Sequence, residues 1–81
     1  MKLVLVKWVD STIRIGGWHE VSKKGIRAVC HRSVGWISAK TKDSITLIPH
    51  LSEKNHPSAM FQCWGEITIP KAAIVKMKKL K

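Results

Sequence analysis

The stretch Val29-Cys30-His31-Arg32-Ser33-Val34-Gly35-Trp36-Ile37-Ser38-Ala39-Lys40-Thr41-Lys42-Asp43-Ser44-Ile45-Thr46-Leu47-Ile48-Pro49 decides the fold. Two runs rich in β-branched and aromatic residues flank the polar turn Thr41 to Ser44, the pattern of a β-hairpin. Side chains alternate along a strand. Gly35, Ile37 and Ala39 therefore share one face of the first run, and Trp36, Ser38 and Lys40 share the other. In the second run Ile45 and Leu47 alternate with Thr46 and Ile48. One face of the hairpin is apolar, and the other carries a tryptophan among polar groups. The rest of the chain is expected to cover the first face and frame the second.

Working outward, Lys2 to Val9 reads as a first strand with Val4, Val6 and Trp8 on one face and Leu3, Leu5 and Val9 on the other. Two apolar faces both call for cover. Asp10 to Arg27 is a long basic connection; Gly16-Gly17 marks a turn, His19 to Lys24 is expected to form one or two helical turns ended by Gly25, and Trp18 is expected to cap the barrel. Leu51 to Ala59, with Asn55 and Pro57, reads as a loop. Met60 to Ile69 is expected as a fourth strand, with Phe61, Cys63, Ile67 and Ile69 on one face, Gln62, Trp64, Glu66 and Thr68 on the other, and a bulge at Gly65. Pro70 to Ala73 suits a single 3-10 turn, since proline bars continuation of the strand. Ile74 to Leu80 is expected as a last strand with Val75 and Met77 inward and Lys76 and Lys78 outward. A C-terminal helix from Lys71 is the alternative, because Ala, Lys and Met favour helix. Five short strands and a one-turn connector describe an all-β fold, a small five-stranded SH3-like or Sm-like barrel, in one domain spanning residues 1–81.

Fifteen Lys and Arg against five Asp and Glu give a net charge of +10 across 81 residues. Such a surplus favours an anionic partner; the competing account is a merely soluble surface. No apolar run reaches the roughly 18 residues of a membrane span, so no membrane partner is expected. The apolar run after Lys2 resembles the start of a signal peptide, but it ends at Lys7 without a small-residue cleavage site. Cys30 and Cys63 are too few for a disulfide scaffold, and a reducing cytoplasm suits them.

The segments Val6 to Asp10, Gly16-Gly17-Trp18, Ser33-Val34-Gly35-Trp36, Asp43 to Leu47 and Gly65 to Lys71 followed by Ile74 are similar to those of a family of small tailed-phage and prophage proteins. The resemblance spans nearly the whole chain, and its most specific pieces are Val34-Gly35-Trp36 and Ile69-Pro70-Lys71-Ala72-Ala73-Ile74. It implies a host-cell cytoplasmic setting and no particular activity. Where the similar sequences carry an acidic helical segment after Gly-Trp, this chain has the basic His19 to Lys24.

Catalysis finds no constellation to rest on, and no enzyme is expected. No two of the five acids sit close in sequence. Cys30 and His31 point to opposite faces of a strand and cannot act as a dyad. Ser33-Val34-Gly35 lacks the glycine two residues before the serine that a nucleophile elbow needs. His19, Cys30, His31, His50, His56 and Cys63 match no paired zinc spacing, so no metal or other cofactor is expected, and the cysteines are read as small core residues.

Four Trp beside one Phe and no Tyr are the better signal. Exposed indoles near lysines stack bases while the ammonium groups meet phosphates. Trp36 and Trp64 are the expected stacking residues, and Lys40, Lys76 and Lys78 the expected phosphate contacts. A bulge at Gly35 or Gly65 that turns an indole inward, or packing against the long loop, competes with this. The lysine-rich end also has a second account, as a guard against edge pairing. The functional expectation is a non-catalytic binder of a phosphate-bearing ligand, nucleic acid before a small nucleotide. The alternative is a phage-encoded oligomer that sequesters a signalling nucleotide against host defence, and a third class is a protein-interaction module. Burying Leu3, Leu5 and Val9 is worth about 5–8 kcal/mol, so a homo-oligomer through this stripe is expected.

Overall fold

A computed structural model describes residues 1–11, 16–25, 27–53 and 61–81. Met60, His56, Asn55, Pro57, Ile13 and Ile15 lie outside the described residues. The fold is all-β. The elements are β1 (Leu3–Asp10), β2 (Val29–Lys40), β3 (Ser44–Ile48), β4 (His50–Leu51), β5 (Cys63–Trp64), β6 (Ile67–Pro70), a 3-10 turn (Lys71–Ala73) and β7 (Ile74–Lys79). Five of the strands form one antiparallel sheet in the order β6-β3-β2-β1-β7, and β4 and β5 form a separate two-stranded ribbon.

The long strand β2 organises the sheet. It pairs with β1 from Val29 to Trp36 and with β3 from Trp36 to Lys40. The hairpin turn closes through the Thr41 N–H, which donates to the Ser44 carbonyl at 2.9 Å, and the Ser44 N–H, which donates to Thr41 Oγ1 at 3.0 Å. At Gly35 the chain passes so close to β3 that a Cβ would stand 2.9 Å from the Ile48 carbonyl oxygen. Because backbone and not a movable side chain is in the way, Gly35→Ala is expected to cost about 1–3 kcal/mol, as overpacking does, read as a lower urea midpoint with unchanged slope.

The edge strands β6 and β7 are joined only by the 3-10 turn. A flat five-stranded sheet would hold its edges about 19 Å apart, whereas the three residues of the turn rise only about 6 Å in 3-10 geometry. The sheet must therefore curl, and it does so around Val4, Val6, Ile45, Leu47 and Ile69, each at most 2% exposed. Ile37, Ile67, Ala73 and Ile74 pack against this cluster. The Lys71 N–H donates to the Asp43 carbonyl at 2.7 Å and fixes the connector to the hairpin turn. β6 and β7 share no backbone ladder among the described residues; the two edges are joined through the connector. Trp8 joins the rim of the core: its Nε1–H donates to Ser33 Oγ at 3.0 Å, and its ring lies 4.9 Å from that of His31, which pairs with Asp10 at 3.3 Å.

Several expectations are corrected. His19 to Lys24 forms no helix, and all of it is exposed; a segment with no apolar stripe to dock gains nothing from helix formation. Trp18 is fully exposed and caps nothing. The expected fourth strand is two strands, broken at Gly65, where a φ of 80° departs from extended backbone and the chain passes from the ribbon to the main sheet. In β7 a register shift opposite Lys7/Trp8 makes Val75 the extra residue. Val75 is thus exposed, and Ile74 packs inward in its place. Cys30 and Cys63 are free and exposed instead of buried, because Cys30 lies on the outer sheet face and Cys63 in the ribbon, both off the core.

Candidate nucleic-acid interface

The inner face of the sheet is consumed by the core, so chemistry falls to the outer face. There Leu3, Leu5, Lys7 and Val9 of β1 alternate with the core positions, and β2 contributes Cys30, Arg32, Val34 and Trp36. Lys7 stands directly opposite Arg32 on one side and Lys76 on the other, and Leu5 stands opposite Val34 and Lys78. Arg32, Lys7 and Lys76 therefore form one row across three adjacent strands. With Lys78 and Leu5 they line a shallow groove of about 270 Å³. Asp10 pairs with His31, and no carboxylate stands directly opposite Arg32, Lys7 or Lys76 in the sheet register. Like charges directly opposite one another in a sheet are destabilising, so the row carries a cost that a bound anion would relieve.

The second feature lies further along the same face. After Ile48, Pro49 turns the chain off the main sheet, and β4 pairs with β5, His50 opposite Trp64 and Leu51 opposite Cys63. Gly65 lets the chain return as β6; a Cβ there would stand 3.1 Å from Pro49 Cγ, so the two crossing points are packed together. Between the ribbon and the sheet opens a cleft of about 560 Å³, lined by Trp36, His50, Ser52, Gln62, Cys63 and Trp64 with Pro49 and Leu51. Trp64 is 79% exposed and Trp36 is half-buried; neither indole belongs to the core cluster. Trp36 lies four positions along β2 from Arg32, so cleft and cation row lie about 13 Å apart on one face.

The fold thus brings Trp36 and Trp64 to one cleft and Lys76 and Lys78 to one groove. It does not bring Lys40 to either. The register shift between Ile37 and Ala39 sets Lys40 opposite Ile45, so one extra residue moves it off the Trp36 face. Lys7, Arg32, His50 and Gln62 are not among the ligand contacts expected from the sequence, although alternation places Gln62 on the Trp64 face. Lys7 was visible, since the alternation that groups Leu3, Leu5 and Val9 places it in the same stripe.

The Cys63 thiol is pushed above its ordinary range, first by its hydrogen bond to Glu66, then by desolvation and by the charge of that carboxylate. A thiol held protonated is a poor nucleophile. Among the described residues no three His, Cys, Asp or Glu side chains gather as a metal site, and no helix is long and apolar enough to cross a membrane. Comparison with known protein families, curated proteins and solved structures returns no match to this chain.

Proposed function

We propose that the protein is a non-catalytic binder of nucleic acid, engaging phosphates with Arg32, Lys7, Lys76 and Lys78 and stacking bases on Trp36 and Trp64. The observation that carries this reading is the cross-strand row Arg32–Lys7–Lys76, three cations with no carboxylate directly opposite them in the sheet register. Indoles open to solvent accept unpaired bases, so a single strand is favoured over a duplex. Among the described residues the cleft is lined by no Lys or Arg. A ligand that uses both features must therefore extend along the face from the indoles to the cations, as a strand does and a mononucleotide does not.

Titration with a single-stranded oligonucleotide is expected to quench tryptophan fluorescence. Trp64→Ala is expected to weaken binding by about 5- to 150-fold, the stacking contribution of one base. Unchanged affinity in Trp64→Ala would remove the cleft from the interface.

A second reading is the phage-encoded homo-oligomer that holds a small signalling nucleotide between subunits. The cleft volume of about 560 Å³ lies in the small-molecule range, and Leu3, Leu5 and Val9 offer a half-buried apolar stripe. Light scattering distinguishes the two: a 9 kDa species at every concentration would remove the oligomer.

A further inference from the structure

We propose that Gln62 reads the edge of the base held in the cleft and that the site selects adenine, an inference that rests on the nucleic-acid reading above. The ribbon supplies the geometry. His50 stands opposite Trp64. One rung further, the Ser52 N–H donates to the Gln62 carbonyl at 2.8 Å and the Gln62 N–H donates to Ser52 Oγ at 2.9 Å. Alternation then puts His50, Ser52, Gln62 and Trp64 on one ribbon face, and all four line the cleft.

The two bonds to Ser52 hold the Gln62 backbone and occupy the serine hydroxyl. Both bonds use the Gln62 backbone, so the ribbon's own pairing does not use the Gln62 side-chain amide. A position next to an indole on a hydrogen-bonded ribbon, with an amide that the ribbon's pairing does not use, is suited to reading a stacked base.

The choice of base follows from the amide. It offers one carbonyl acceptor beside an NH₂ donor. A base stacked on the indoles, with its sugar toward the cation row, presents the edge opposite the sugar. Adenine carries an amino donor there, flanked by a ring-nitrogen acceptor on both sides. The amide therefore pairs with it twice over, whichever way the ring is turned, in the pairing of Gln with the adenine N6/N7 edge. Guanine shows two acceptors on its N7/O6 edge and matches the amide only where O6 stands beside N1–H, so it pairs in one orientation where adenine pairs in two. Each pyrimidine has a single matching edge and less ring to stack.

The test compares oligo(dA), oligo(dC) and oligo(dT) of about 12 nucleotides, a length within the usual site size of such binders, by fluorescence anisotropy at low salt. Oligo(dA) is expected to bind at least about 5-fold tighter than the other two, the lower end of what a bidentate pair discriminates. Gln62→Met, of similar shape but without the amide, is expected to erase that preference, with oligo(dA) losing the most affinity. Trp64→Ala is expected to weaken all three alike. Equal binding of the three strands, or an oligo(dA) preference that survives in Gln62→Met, would overturn base reading and leave the binding function standing. Failure of every strand to bind at low salt would overturn both.

Discussion

Replacing Lys7, Arg32 and Lys76 together by threonine is expected to weaken single-stranded oligonucleotide binding by about 10²–10³-fold at about 50 mM salt, since each phosphate contact contributes a salt exponent near 0.7. The fold is expected to stay as stable or gain slightly. Threonine suits an outer strand position. The change also removes the like-charge pairs Lys7/Arg32 and Lys7/Lys76 that the register places opposite one another, each unfavourable by about 0.2–1 kcal/mol. Part of that gain is offset by loss of the long aliphatic stems that flank Leu5. Affinity and stability thus move in opposite directions, which a purely structural role for these cations does not give. Undiminished binding in the triple variant, measured by anisotropy beside a thermal melt, would contradict it.

Leu47→Ala is expected to be the most damaging single substitution to the fold. Leu47 is 1% exposed and sits in β3, between β2 and β6, where Ile37 and Ile67 stand directly opposite it. Truncating a leucine at such a site costs about 2–5 kcal/mol, against a total of about 4–12 kcal/mol for a chain of this length. A midpoint lowered by about 10–30 °C follows for a domain of this size. A shift of only a few degrees would mean that Leu47 is not at the centre of the core. The comparison substitution is Leu5→Ala on the outer face, where the side chain is only half-buried; the smaller effect is expected there.

The central hairpin, the inner positions Val4, Val6, Ile45 and Leu47, the 3-10 turn after Pro70 and the all-β class were legible because each rests on local chemistry: alternation, a polar turn and a proline. What was not legible depended on register. A single extra residue near Ser38 carried Lys40 away from Trp36, and another at Val75 exchanged it for Ile74 at the core. No local signal in either strand marks these shifts, since both serve the fit between strands distant in sequence. The ribbon was hidden for a related reason. Gly65 looked like a bulge within one strand, whereas its positive φ and its contact with Pro49 make it a crossing between two sheets. The site was half legible: the two tryptophans by their rarity and exposure, Lys76 and Lys78 by alternation. Arg32 and Lys7 join them only once β1 is known to lie between β2 and β7.

The dependence of affinity on salt tests the central claim most directly. For the unmodified protein and a single-stranded oligonucleotide, a plot of log K against log salt concentration is expected to be linear with a slope of about −2 to −3, set by phosphate contacts from Arg32, Lys7, Lys76 and Lys78 at about 0.7 each. A slope near zero, or no binding at low salt, would contradict the assignment of this face to nucleic acid.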